Sequence, residues 1–300
     1  MVEMTLKTGS CVASIGFFDG VHRGHLCLIE QVMTEAKRRG GRSLLVTFDR
    51  HPRTVVNPEH VPILLTSLEE KTHLLQMTGV DGIVVLPFTY ELSCLTAREF
   101  MDKVLCRELG VSTLVLGYDH HFGHGGGSWE DYVQWGRETE VELIRANELR
   151  GEHVSSSRCR QLLMQGDVAA AASLLGRWYA LSGMVVHGFH VGHELGFPTA
   201  NLQPDEGKLL PANGAYAVWA TLADGRRCGG MLNIGHRPTI GNGGEVSIEV
   251  NLLDYEGDLY GQRMVVEFIS RLREERRFGS REELVAQLNE DKRRAEEILQ

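Results

Sequence analysis

The spacing of apolar residues changes once along this 300-residue chain, near Ala180, and the change limits the fold to two unlike halves. Before it, short β-rich runs alternate with helical patterns. Residues 10–18 (SCVASIGFF) read as a strand; Leu26, Ile29, Val32, Met33 and Ala36 then recur at helical spacing until Gly40 and Gly41 stop the helix. A second strand, 43–48 (SLLVTF), and a second amphipathic helix over 68–77 follow. Residues 82–88 (GIVVLPF), a helix around 97–109 and 112–118 (STLVLGY) continue the series. Strands joined through helices by connections this short predict right-handed βαβ units and a parallel sheet covered on both faces.

After Ala180 the runs SGMVVHG, AYAVWATLADGRRCGGMLNIG, EVSIEVNLLD and QRMVVEFISRL are strand-like, with little helix between them. Asp224-Gly225 is a hairpin signal. Ser280 and Glu283 stand at capping-box spacing before an apolar stripe of Leu284, Leu288, Ala295 and Leu299. The second half is therefore predicted to be a small antiparallel β-barrel with a C-terminal helix. Two short helices beginning near Ser156 and Asp167 precede the joint, which divides the chain into 1–178 and 179–300.

A formal charge of −9 and a pI near 5.8 argue against a non-specific nucleic-acid binder or a polybasic membrane protein. No apolar run approaches the about 20 residues that span a bilayer, and MVEMTLKTGS lacks the apolar core of a secretory leader. Six cysteines lie far apart with no Cys-x-x-Cys pair, which suits reduced thiols and a cytoplasmic protein.

Residues 16–25 read GFFDGVHRGH and fall where the first strand gives way to the first helix, the place where open α/β sheets bind ligands. Free amides at the helix start favour phosphate, and Gly20 and Gly24 allow close backbone approach. His22 and His25, three apart, share one side of the first turn and suit stabilisation of charge on an α-phosphate. A simple helix cap is the bland alternative. Against it stand 154–160 (VSSSRCR), with hydroxyls and cations before a helical run, and 117–125 (GYDHHFGHG) at another strand end. Its histidines match no zinc template, so it is expected as a polar loop beside the nucleotide. There is no Walker A sequence, which disfavours a P-loop ATPase.

In the second half, 196–201 (GFPTAN) sets a stiff Pro198 before Thr199 and Asn201, whose neutral oxygens suit Mg²⁺ or a phosphate. Glu249 alternates with Ile248 and Val250, so by pattern alone it is a solvent-facing strand residue.

GFFDGVHRGH, TFDRHP (47–52), LPF (86–88), GYDHHFG and VSSSRCR resemble, in order and spacing, the FMN adenylyltransferase module of prokaryotic bifunctional riboflavin kinase/FAD synthetases. GFPTAN, LLPANGAYAV (209–218), NIGHRPTI (233–240), IEVNLLDYEGDLYG (248–261) and RLREERRF (271–278) resemble that family's riboflavin kinase module. The resemblance implies a Rossmann-like nucleotidyltransferase domain followed by the barrel. It implies that His22 and His25 stabilise the adenylyl transition state, with Arg160, Ser156 and Ser157 on the phosphates. Gly16, Phe17, Asp19, Gly24, Asp119 and Gly196 are expected at bound nucleotide. Glu249 is implied as the general base that takes the proton of the riboflavin 5′-hydroxyl, with Thr199 and Asn201 holding Mg²⁺. ATP is the co-substrate, and riboflavin, FMN and FAD are the other small-molecule partners, with no nucleic acid or membrane.

This chain departs from the family's pattern at four places. Ser157 stands where Thr is usual, Phe17 where a small or polar residue is frequent, and His120 where an aromatic is common. The loop 188–195, GFHVGHEL, has His190, His193 and Glu194 but no Lys or Arg, although it should cover phosphates. That loop motivates an alternative: a monofunctional FMN adenylyltransferase whose barrel only binds flavin. A non-catalytic flavin sensor on the same scaffold and a different HxGH transferase are the other rivals; the latter leaves the second half unexplained.

Overall fold

The computed structural model describes residues 10–117, 122–149, 154–187, 197–236 and 246–300. The chain forms two compact units, Met1–Val154 and Ser155–Gln300.

In the first unit, β1 (Cys11–Ile15), β2 (Arg42–Phe48), β3 (Gly82–Leu86), β4 (Thr113–Leu116) and β5 (Glu142–Arg145) form a wholly parallel sheet in the order β3-β2-β1-β4-β5. All five residues of β1 are buried, as a central parallel strand with both faces covered requires. Its alternation sorts the core. Val12 packs with Val32 and Ala36 of α1 (Arg23–Arg38). Cys11, Ala13 and Ile15 face the opposite layer. That layer is built from α5 (Ala97–Phe100), continued by the π-helical Met101–Glu108, and from α6 (Trp129–Glu138). The helix expected around 97–109 thus widens from Met101 onward, and at its end the Leu109 amide donates to the Val104 carbonyl at 3.0 Å. Between β2 and β3 lie the short α2 (Arg53–Val56) and α3 (Leu68–Gln76), the latter opened by a full capping box between Ser67 and Glu70. The four-residue α4 (Tyr90–Ser93) follows β3.

The second unit begins with α7 (Ser156–Gln165) and α8 (Val168–Leu175), each stopped by a left-handed glycine, Gly166 and Gly176. Strands β6 (Tyr179–Val186), β7 (Ala200–Pro204), β8 (Gly214–Thr221), β9 (Arg227–His236), β10 (Val246–Leu252) and β11 (Arg263–Glu274) close a barrel in the order β10-β7-β6-β11-β8-β9. Every pairing is antiparallel. One set of alternating residues, with Tyr216, Val218, Phe268, Leu232, Ile234, Ile248 and Val250, is buried. The other set carries Ala215, Ala217, Met231 and Leu272, which pack under Ala295 of the C-terminal helix α9 (Arg281–Ile298).

Ser280 caps α9 by accepting from the Glu283 amide at 3.2 Å. The return arm of the predicted box is replaced: the Glu283 carboxylate accepts from the Gly279 amide and from Arg276. A largely buried ion pair, Arg273 Nε to Asp291 at 2.8 Å, pins the helix to β11. Arg271 donates to the carbonyls of Gln165 and Asn213, and the Ala212 amide donates to Leu163, which ties α7 to the barrel.

Candidate active sites

The strand order reverses between β1 and β4, so their carboxyl ends form the switch-point crevice of the first unit. The chain leaving β1 is held by the Gly16 amide, which donates to Val46, and by Thr47 Oγ1, which donates to the Phe17 carbonyl. It then turns sharply. Phe18, Gly20 and Val21 have φ of 54°, 78° and 39°. A β-branched residue in the left-handed region is costly, and such strain persists where the surroundings over-determine it.

The turn delivers His22 to the N-cap of α1, where its Nδ1 accepts from the His25 amide at 3.3 Å. The two imidazoles stack with centroids 3.6 Å apart and planes inclined by 14°, and the Phe18 ring meets His25 edge-on at 5.2 Å. Gly24 leaves the space this needs, since a Cβ there would sit 3.2 Å from two atoms of the His22 ring. Two imidazoles and the first amides of a helix, at the open end of a parallel sheet, form a site that suits phosphate.

Asp19 sits behind this surface. Its buried carboxylate accepts from the amides of Leu65 and Thr66 and from Thr66 Oγ1, while the Gly20 amide donates back to Thr66 Oγ1. The segment before α3 is thereby fixed to the loop before α1. Lys71 on α3 extends the same clasp, with Nζ donating to the Phe48 carbonyl at 2.9 Å and lying 3.9 Å over the Phe17 ring. Neither Lys71 nor Thr66 stands out in the sequence. The Ser67-x-x-Glu70 cap was the available signal that a helix begins here, but not that a lysine would face inward.

After β4, the Tyr132 hydroxyl donates to the Phe122 carbonyl at 2.6 Å and accepts from its amide at 2.9 Å. Gly123 has φ 82°, and a Cβ there would collide with the backbone of Ala97. These contacts fix Phe122 and Gly123; Asp119 lies outside the described residues. So Gly16, Phe17, Asp19, His22, Gly24 and His25 come together around one turn. Ser156, Ser157 and Arg160 belong to the second unit, on the first turns of α7, where Ser155 is the N-cap and Ser157 is exposed.

On the barrel, Glu249 of β10 is flanked in register by Asn201 of β7 and Asn233 of β9. Glu249 is half-buried and Asn201 is 7% exposed. Two residues along β10, Asn251 Nδ2 donates to the Pro198 carbonyl at 2.8 Å and ties the segment carrying Thr199 to the same strand. Sequence alternation placed Asn251 beside Glu249 but did not indicate this tether. Gly196 and the loop 188–195 lie outside the described residues. Asn201 stands opposite Glu249 in register and Thr199 lies two residues before Asn201; neutral hard oxygens with a carboxylate are a donor set that fits Mg²⁺ when phosphates complete the shell. Among the described residues no group of three or more His, Cys, Asp or Glu is placed to hold a metal by itself. None of their helices is long and apolar enough to cross a membrane.

A family model described as FAD synthetase matches residues 5–158, and one described as riboflavin kinase matches 175–299. A bifunctional riboflavin kinase/FMN adenylyltransferase of Pseudomonas fluorescens is 39% identical over 284 residues, covering 94% of this chain and 90% of that protein. The enzyme of the same description from Escherichia coli K12 is 37% identical over 292 residues, covering 96% and 93%. A crystal structure described as a macrolide-efflux protein from Streptococcus pneumoniae shares the fold with a TM-score of 0.87 at 30% identity, over 96% of this chain and 94% of that one.

Proposed function

The chain belongs to the bifunctional riboflavin kinase/FMN adenylyltransferase family, and from that premise we propose how its residues divide the work. It phosphorylates riboflavin to FMN with ATP, and it joins FMN to the adenylyl group of a second ATP, giving FAD and pyrophosphate. The match of 175–299 to the kinase model does not favour the monofunctional alternative.

In adenylyl transfer an oxygen of the FMN phosphate attacks the α-phosphorus of ATP and pyrophosphate leaves. His22, His25 and the first amides of α1 bind the phosphates and stabilise the charge that builds on them. Gly16, Phe17 and Asp119 line the nucleotide, Gly24 admits the His22 ring, and Asp19 holds the loop in shape. Ser156, Ser157 and Arg160 are assigned to the phosphates as hydroxyls and a cation, and residues 1–178 are proposed as the adenylylating half with 179–300 as the kinase.

In the kinase, Glu249 accepts the proton of the riboflavin 5′-hydroxyl, whose oxygen attacks the γ-phosphorus. Thr199 and Asn201 would hold Mg²⁺, which when bound neutralises phosphate charge; Gly196 lets the backbone approach the nucleotide. Both reactions are placed in the cytoplasm, consistent with six free cysteines.

The observation that carries the adenylyl assignment is the stacked His22–His25 pair capping α1 at the switch point. Purified protein given riboflavin, ATP and Mg²⁺ is followed by chromatography of the three flavins. His22→Ala is expected to accumulate FMN with FAD formation reduced about 10²- to 10³-fold. Failure of FMN to appear would instead support the flavin-binding barrel without kinase activity.

A further inference from the structure

Lys71 is 2% exposed, in the inward stripe of α3 that also holds Leu75, where an apolar side chain would ordinarily pack. Its ammonium donates to the Phe48 carbonyl at the end of β2 and lies 3.9 Å over the face of Phe17, in the loop that leads to His22. The Phe17 ring also meets His51 edge-on at 4.8 Å. The charged groups acting on Lys71 are Asp19, from the loop before α1, and Asp49, the residue after β2. Asp49 is itself paired with Arg50 at 3.0 Å and accepts from the Phe88 amide. Lys71 thus gathers α3, the end of β2 and the strained loop around one buried cation.

We propose, on the basis of the adenylyl-transfer reading above, that Lys71 is a positioning residue of that reaction, its ammonium clamping Phe17 and the end of β2 so that the left-handed turn before His22 keeps its shape. Burial pushes the Lys71 ammonium down to about 8, with Asp19 and Asp49 acting in the opposite sense. Above that pH the amine can still donate to Phe48, but the attraction to the Phe17 face and to both carboxylates is lost. Adenylyl transfer should therefore slow on the alkaline side while the protein stays folded. The sign supports this: between about 8 and the ordinary 10.5 the unfolded chain binds the extra proton, so this group's contribution to stability rises with pH.

The test follows FMN adenylylation from pH 7 to 9.5 in the full chain, with circular dichroism at each pH and riboflavin phosphorylation by the same samples as internal control. The wild type is expected to lose about tenfold in kcat, the scale of a small misplacement, around a midpoint near 8 with its dichroism unchanged. Lys71→Met should start at the reduced kcat and be flat, with KM for ATP and FMN little changed. Lys71→Arg keeps a cation that does not titrate here and should also be flat, at higher kcat than Lys71→Met. A wild type flat from pH 7 to 9.5 overturns the proposal, and needs no variant that folds. So does an alkaline limb that persists in Lys71→Met or Lys71→Arg, or a loss of riboflavin phosphorylation in parallel. Absence of any FAD from the wild type would overturn the adenylyl assignment itself and this role with it.

Discussion

A methyl group on Gly24 would approach Cε1 and Nδ1 of His22 to 3.2 Å and the Val154 carbonyl to 3.6 Å. Ala favours a helix over Gly by about 1 kcal/mol, so Gly24→Ala should leave the thermal midpoint unchanged or raised. The imidazole must still move. We expect FMN adenylylation to fall by about 10²-fold, measured as kcat beside a melting curve of the same sample; unchanged kcat would show that the stacked arrangement is not needed. The His22-x-Gly-His25 spacing was legible in the sequence because both rings project from one helical turn. Lys71 was not: in LEEKTHLLQ a lysine beside two glutamates reads as a solvated face, and only the approach of Phe17 and Phe48, far away in sequence, buries it. Asp19 was legible as part of the loop, while its hydrogen bonds to Leu65 and Thr66 depend on a segment about which the motif says nothing.

Helix α9 is held on the barrel by apolar contacts of Ala295 and Leu299 and by the Arg273–Asp291 pair, whose carboxylate is 2% exposed and also accepts from Gln287. Removing one partner leaves the other charge buried. Asp291→Ala should destabilise the protein by about 3 kcal/mol, and Arg273→Met combined with Asp291→Leu should recover most of that loss. Denaturant unfolding of the single and double variants reads both numbers. Equal losses in the two would show that packing, not the unpaired charge, sets the cost. The long periodic elements were readable from sequence, α1 and α9 among them, because stripe and cap agree. Strand β5 (Glu142–Arg145) has four residues at a sheet edge, and β7 (Ala200–Pro204) follows a turn motif and ends in proline. Neither carries enough alternation to be read alone; their pairing with β4 and with β6 and β10 creates them.

At the scale of the whole chain, the one change in apolar period announced two architectures, and a parallel sheet and a closed antiparallel barrel are what form. Periodicity says nothing about which body a short helix joins. Helices α7 and α8 cluster with the barrel because Arg271 reaches the end of α7 and the Ala212 amide reaches Leu163. Two independent reactions are proposed to run in series in one polypeptide, through His22 and His25 in one site and Glu249 in the other. The most direct measurement is the conversion of riboflavin to FAD by His22→Ala and Glu249→Ala proteins, separately and mixed. Neither alone should carry riboflavin to FAD at more than about a hundredth of the wild-type rate: the first should accumulate FMN, and the second should act only when FMN is supplied. Their mixture should restore the full conversion. FAD from riboflavin at near wild-type rate by either protein alone, or no gain in FAD from the mixture when each is folded, would contradict this division of labour.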